Sequence, residues 1–482
     1  MALSPVVWAG TAHAALPSGC TGATTPGNDT VVCTNGVPAG AVINLLGGDD
    51  KITVTGNVAG EINGGDGQDT ITVTGIPVEL VVAPDGINHV ETNGDAVSGV
   101  VRGQGGSDTI TITGGISKYR LGFGGAAVGA GGLVHGGTGN DVITLTGGNS
   151  TQDPDAADAG PGGPGVKGEV RGGDGYDRVT VRGGNGLSSS PGGSGVFGGS
   201  VHGGDPGLAG LDVGDDTDTI RVTGGDGGAG VAEAGTSGNG GVAVQQGTVS
   251  GGTRADEIIL TGGNGAAANG GQAGQGGTAV VGGVVAGGDP VLGRVLDGDD
   301  TITLTGGKGG AADGNDFPAG AGGNGLSGGQ LRGDRGADNI TITGGDSDAV
   351  PGLAVYGAEN AQGGIIRGVV EGGLGADRIT LNPGTGGTPQ TAAVRWSDIR
   401  GGGQILSGFI DGADTITLGT TDQPERGTSK EATFDGGAGN DTITLRGEAD
   451  EVTVNGGAGT DVCGEEGNGA RFESCENLDA DN

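Results

Sequence analysis

The sequence predicts an all-β protein, a parallel β-solenoid (β-roll or β-helix) with Gly-rich loop excursions and disulfide-stapled ends. Three observations predict it. A nine-residue unit recurs along the chain. Apolar residues and threonines alternate after each copy. Glycine fills 123 of 482 positions, whereas aromatic residues make up 2 %. Repetition on this scale decides the architecture before any single segment is read.

The unit is Gly64-Gly65-Asp66-Gly67-Gln68-Asp69-Thr70-Ile71-Thr72, or G-G-x-G-x-D-x-U-x with U apolar. It recurs without a mismatch from Gly136-Gly137-x-Gly139-x-Asp141, Gly172-Gly173-x-Gly175-x-Asp177, Gly372-Gly373-x-Gly375-x-Asp377 and Gly436-Gly437-x-Gly439-x-Asp441. A further copy ends on Asp461, with Cys463 in the apolar place. Looser copies surround Asp50, Asp108, Asp218, Asp256, Asp300, Asp338 and Asp414.

After each aspartate the residues read as a strand. Ile71 and Val73 alternate with Thr70, Thr72 and Thr74, so they share one face. Ile110/Ile112, Ile143/Leu145, Ile302/Leu304 and Ile443/Leu445 repeat the pattern. One such strand buries two large side chains, too few to stand alone. Stacked in parallel, the strands form an apolar ladder inside and a threonine ladder outside. About a dozen corners at roughly 4.8 Å per strand make an array about 60 Å long.

The glycines before each aspartate serve a tight corner, where they permit positive φ or close backbone approach. Stacked corners put carbonyl and carboxylate oxygens in a row, which suits a hard cation such as Ca²⁺. A purely structural Gly-Asp turn explains the same residues without metal.

At these residues the chain resembles the RTX, or haemolysin-type, calcium-binding repeat proteins, which are secreted bacterial β-rolls. The ending Asp461-Val462-Cys463 … Ser474-Cys475-Glu476 resembles the tails of secreted bacterial proteins with such repeats. The resemblance implies that the first six motif residues form the metal turn and the last three the strand. It implies several Ca²⁺ ions, with Asp69, Asp141, Asp177, Asp377, Asp441 and Asp461 as ligands beside carbonyls near the matching glycines. The spacing departs from that family, whose repeats follow every nine residues. Here successive corner aspartates lie much further apart in sequence.

Met1 to Leu16 is small and apolar, and Ala12-His13-Ala14 resembles a signal-peptidase site, so residues 1–14 read as a signal-peptide remnant. Residues 15–44 read as an N-terminal cap, 45–462 as the repeat array and 463–482 as a C-terminal cap. Cys20 and Cys33 lie close in sequence, as do Cys463 and Cys475, which suggests one disulfide at each end of an exported chain. Zinc, the rival use of four cysteines, requires them together in space.

Within the array many units carry a second Val-rich strand, as at Val97 to Arg102, Val196 to His202, Val242 to Ser250 and Ile405 to Asp411. Between the two strands run Gly-rich excursions such as Gly224 to Gly241, Gly262 to Gly277 and Gly306 to Gly325. These read either as flexible loops or as extended polyproline-II-like segments packed on one side.

A net charge of −36 opposes binding to nucleic acid and anionic membranes, and no stretch is long and apolar enough to span a bilayer. No constellation points to an enzyme or an organic cofactor. His135 and His202 fall in a variable slot read as an exposed face, and Arg395, Trp396 and Asp398 stand without a second signal. The expectation is a secreted, non-enzymatic calcium-binding protein, extracellular or at the cell surface, with a structural or adhesive role toward surface or matrix components. The alternatives are a metal-free Gly-rich surface solenoid or adhesin and, on the threonine ladder, an ice-binding protein.

Overall fold

The computed structural model describes residues 15–479 apart from 78–79, 83–88, 92–93, 118–122, 151–159, 206–216, 231–235, 289–296, 315–316, 360–361, 363, 388–392, 403–410, 420–428, 466 and 468. The signal-like segment 1–14 and most of the strand expected at Ile405 to Asp411 lie outside the described residues.

The chain winds a parallel β-solenoid. Among the described residues its first sheet has 16 strands and holds the Thr-rich segments Lys51–Thr55, Thr70–Thr74, Thr109–Thr113, Val142–Thr146 and their successors. Ile52, Ile71, Ile110 and Ile143 are in register, as are Thr53, Thr72, Thr111 and Thr144. A second sheet of 14 strands runs from Val42–Asn44 to Arg471–Glu473. A third has eight strands of two residues, from Val196–Phe197 to Ala449–Asp450. Bridges from Val37 through Val58, Val97, Val128 and Val166 to Val196 continue its row toward the N-terminus.

The core is a set of parallel files along the axis. In one coil Ile71 and Val73 enter from the first sheet, Ile62 from the second and Val58 from the third-sheet row, all at most 1 % exposed. Each such side chain stabilises by roughly 1.5–3 kcal/mol on burial. Ordering a backbone residue costs about 1–2 kcal/mol. A single coil therefore cannot hold its shape, and stacking on its neighbours supplies the remainder.

The second Val-rich strand of the sequence reading is two strands. Val196–Phe197 belongs to the third sheet and Ser200–His202 to the second. After seven of the eight third-sheet strands a left-handed residue turns the chain: Gly198 (φ 66°), Gln246 (φ 53°), Gly282 (φ 60°), Gly328 (φ 59°), Trp396 (φ 50°), Glu431 (φ 52°) and Glu451 (φ 57°), the exception following Val355–Tyr356. Because this corner admits non-glycine residues, it is hard to see in sequence.

Among the described residues, the Gly-rich excursions are antiparallel pairs of extended segments packed beside the solenoid. Hydrogen bonds zigzag between outgoing and returning segments. Gly148 donates to Gly125 O, Gly163 to Gly148 O, Gly184 to Gly163 O, Gly193 to Gly184 O and Gly225 to Gly193 O, all at 2.7–2.8 Å. The series continues to Gly384, which donates to Gly352 O. Neighbouring residues donate in different directions: Gly183 to Thr223 O, Gly184 to Gly163 O, Gly186 to Asp226 O. That is the threefold arrangement of polyproline-II segments, not a sheet ladder. Glycine is needed here for space. A Cβ on Gly225 would lie 2.0 Å from Gly184 O, and one on Gly263 2.0 Å from Gly225 O.

The disulfides are Cys20–Cys33 and Cys463–Cys475, one at each end. The first joins Cys20–Gly22 to Thr30–Cys33, an antiparallel pair that closes the N-terminal edge of the first sheet. No helix among the described residues is long and apolar enough to cross a membrane.

Candidate metal site: the aspartate ladder

The motif splits across two elements. Gly64, Gly65 and Asp66 end the second-sheet strand Glu61–Asp66, and Asp69 stands immediately before the first-sheet strand Thr70–Thr74. The corner is therefore shorter than the six-residue turn implied by the repeat-family resemblance. Each glycine has its own reason. The second, Gly65, has φ 113°, and in looser copies Leu46 (φ 83°), Gln104 (φ 82°) and Asp334 (φ 73°) take the same conformation. The first, Gly64, has no room for a side chain. A Cβ there would lie 2.3 Å from Asp69 Oδ2 and 2.6 Å from Gly103 O of the next coil.

All corner aspartates form one ladder. The backbone N–H of Asp50 donates to Asp69 Oδ1 (2.8 Å), that of Asp69 to Asp108 Oδ1 (2.7 Å), and that of Asp108 to Asp141 Oδ1 (2.7 Å). The rungs continue through Asp177, Asp218, Asp256, Asp300, Asp338, Asp377, Asp414 and Asp441 to Asp461. The Asp29 N–H opens the series on Asp50 Oδ1, and Glu476 closes it by accepting the Asp461 N–H (2.8 Å). The structure thus unites Asp69, Asp141, Asp177, Asp377, Asp441 and Asp461 with every looser copy. Asp29 and Glu476 were missed because neither sits in the motif.

Oδ1 is satisfied at each rung; Oδ2 is the informative atom. In Asp50, Asp69, Asp108, Asp141, Asp300, Asp338, Asp377, Asp414, Asp441 and Asp461 it is buried without a hydrogen-bond partner. These residues are at most 2 % exposed. The carbonyl of the following coil lies close by: Gly172 O beside Gly136, Gly401 O beside Gly372, Gly456 O beside Gly436. Carboxylates about 4.8 Å apart repel by about 3–4 kcal/mol at an effective dielectric near 20. Burial, helped in most rungs by neighbouring aspartates, pushes Asp50 and Asp441 up to about 6, Asp108 and Asp377 to about 7, and Asp338 and Asp414 to about 8. Burial also raises Asp141 to about 6, although nearby His135 opposes the shift.

Two corners carry an extra acid. Asp297 and Asp411 follow the stretches 289–296 and 403–410. Asp297 Oδ2 accepts the Arg335 N–H (3.0 Å) and Asp411 Oδ2 the Ala438 N–H (3.3 Å). Burial, with Asp297 alongside, raises Asp300 to about 10. Among the described residues no three His, Cys, Asp or Glu side chains converge on one point. A cation on the ladder would therefore take most of its ligands from backbone carbonyls.

Other sequence candidates resolve differently. His135 Nε2 pairs with Asp205 (2.8 Å), which Arg171 also reaches. His202 is buried, not exposed as its variable slot suggested, and its Nδ1 lies 2.8 Å from Ser250 Oγ. Ser250, only 2 % exposed, offers no accessible nucleophile. Arg395 stacks on Trp396 at 3.8 Å, whose Nε1 donates to Glu431, while Asp398 pairs with Arg367. Arg221 and Ile259 interrupt the central threonine file.

No protein-family model matches the chain, and no curated protein is similar to it. Among solved structures, the Siphovirus 9NA tailspike receptor binding domain aligns over 94 % of this chain and 72 % of its own, at 8 % identity and a TM-score of 0.19. A score that low carries no argument about function.

Proposed function

We propose that this chain is a secreted, non-enzymatic, RTX-like solenoid that takes up Ca²⁺ along the aspartate ladder and serves an extracellular structural or adhesive role. The carrying observation is the file of buried Oδ2 atoms without hydrogen-bond partners, each except that of Asp50 beside a glycine that leaves no space for a side chain. Such oxygens need a proton or a cation. Asp69, Asp141, Asp177, Asp377, Asp441 and Asp461 would hold the ions, with carbonyls of the first glycine in the following coil or, at Asp461, of Ser474. Bound Ca²⁺ would supply the positive charge that lets ionised coils stack, so binding free energy becomes folding free energy. Extracellular calcium modules commonly bind at roughly 10⁻⁴ to 10⁻³ M. Two disulfides fit an oxidising compartment.

The test is a Ca²⁺ titration of EDTA-treated protein at pH 7.5, read by calorimetry and far-UV circular dichroism. Heat with several ions bound, and a gain in β signal, supports the reading. A flat titration with an unchanged spectrum overturns it. The metal-free surface solenoid would then stand. It is favoured by the ladder's complete Oδ1 bonding, and the carboxyls would stay folded in their protonated form.

A further inference from the structure

We propose that a groove at the junction of the returning Gly-rich layer and the third sheet binds a linear oligosaccharide. This goes beyond the calcium reading and does not depend on it.

The chain has six Phe residues. Two of them, Phe123 (58 % exposed) and Phe197 (45 % exposed), line one groove of about 350 Å³. Large exposed rings on so aromatic-poor a protein are informative, since scattered surface residues would not share a concave wall. Pro161 and Pro191 of the returning segments also line the groove. The polar side chains in its lining are Lys167, Ser194 and Gln245. Ser194 Oγ–H donates to Gln245 Oε1 (3.0 Å), which fixes the amide and leaves its NH₂ as donor. Lys167 also lines the groove, 3.6 Å from Asp95.

Pro191 also lines a second cleft of about 240 Å³ further along the same layer. That cleft has the opposite chemistry, with Thr236, Asn239, Gln272 and Gln275 at its wall. The Asn239 Oδ1 accepts the Gln275 N–H (2.8 Å), which fixes the amide and leaves its NH₂ as donor. The two clefts meet at Pro191, with aromatic rings and proline lining one and amides and hydroxyls lining the other. A pyranose chain has both surfaces these clefts would complement. Its axial C–H faces stack on rings, and its hydroxyls exchange hydrogen bonds with amides. Sites of this kind are mostly apolar with a few placed polar groups.

The probe is a panel of cello-, chito-, xylo- and galacturono-hexaoses, tested with the disulfide-intact protein by saturation-transfer NMR and calorimetry. At least one sugar is expected to bind and to receive saturation on ring protons. Phe123→Ala/Phe197→Ala should weaken binding about tenfold with an unchanged circular dichroism spectrum. Phe317→Ala, at an exposed ring elsewhere, should not. Gln245→Ala and Gln275→Ala are surface variants that read the same clefts if the double variant misfolds. Binding by no sugar in the panel overturns the proposal. So does equal binding by the wild type and the groove variants. Loss of Ca²⁺ uptake alone leaves it intact, so the two readings fail separately.

Discussion

Asp69 and Asp108, 39 residues apart in sequence, are adjacent rungs, with the Asp69 N–H on Asp108 Oδ1 at 2.7 Å. The same carboxyl leaves its Oδ2 buried without a hydrogen-bond partner. Each ladder aspartate thus performs two tasks at once. One oxygen ties coils together, and the other sets the conditions under which they stay together.

Asp141→Ala should separate those tasks from the fold. It removes the acceptor of the Asp108 N–H, leaving a buried donor unpaired at about 1–3 kcal/mol. Asp141→Asn keeps a carbonyl acceptor and removes the charge. The Ala variant should unfold at lower denaturant than wild type at any pH. The Asn variant should match or exceed metal-free wild type at pH 8 and bind less calcium. Equal midpoints for all three proteins would show that the rung is dispensable.

Metal-free protein should lose stability as pH rises. The ladder carboxyls titrate higher folded than unfolded, with Asp108 and Asp377 near 7 and Asp338 and Asp414 near 8 against an ordinary 3.8. The folded state therefore holds protons that the unfolded chain has released. That contribution is complete below about pH 4 and disappears as pH climbs through about 6 to 8. Thermal melts in EDTA at pH 5 and pH 8 check it, with the higher midpoint expected at pH 5. Saturating Ca²⁺ should shrink the difference. A melt that is higher at pH 8 in EDTA contradicts the sign.

Gly225→Ala probes the packed excursions. The new methyl would meet Gly184 O at 2.0 Å. Overpacking of this kind typically costs about 1–3 kcal/mol. Hydrogen exchange should rise across Gly193, Gly225 and Gly241, which bond in series. Gly27→Ala, where the nearest atom is Thr25 Oγ1 at 4.0 Å, serves as the neutral control.

Reduction of Cys463–Cys475 should loosen one end only. A disulfide in a small loop commonly contributes about 2–4 kcal/mol, and solenoid coils depend on their neighbours. Exchange should increase in Val462–Glu465 and Arg471–Glu473 while the middle coils stay protected. Uniform loosening would mean that the array unfolds as one unit.

What was legible in the sequence followed local rules. The Ile71/Val73 alternation and the Gly-Gly-x-Gly-x-Asp corners act over a few residues, and the parallel sheets followed from them. The third sheet was not legible, because strands of two residues such as Val244–Gln245 carry no periodicity, and the corner after them accepts Gln246. The packing of the excursions stayed open because glycine composition is the same in a loop and in a close-packed segment. Only neighbours such as Gly184 O distinguish them. The corner aspartates could be named, yet the ladder could not, since its partners are set by stacking and not by spacing.

Rungs from Asp50 to Asp461 hold 2.7–2.9 Å whether the intervening chain is 19 residues, as from Asp50 to Asp69, or 44, as from Asp256 to Asp300. The molecule therefore keeps its pitch while its girth varies. The rungs are indifferent to how much chain lies between corners, whereas the packed excursions remain bonded from coil to coil. Coils carrying unequal lengths of chain therefore share one aspartate spine with a constant rung geometry.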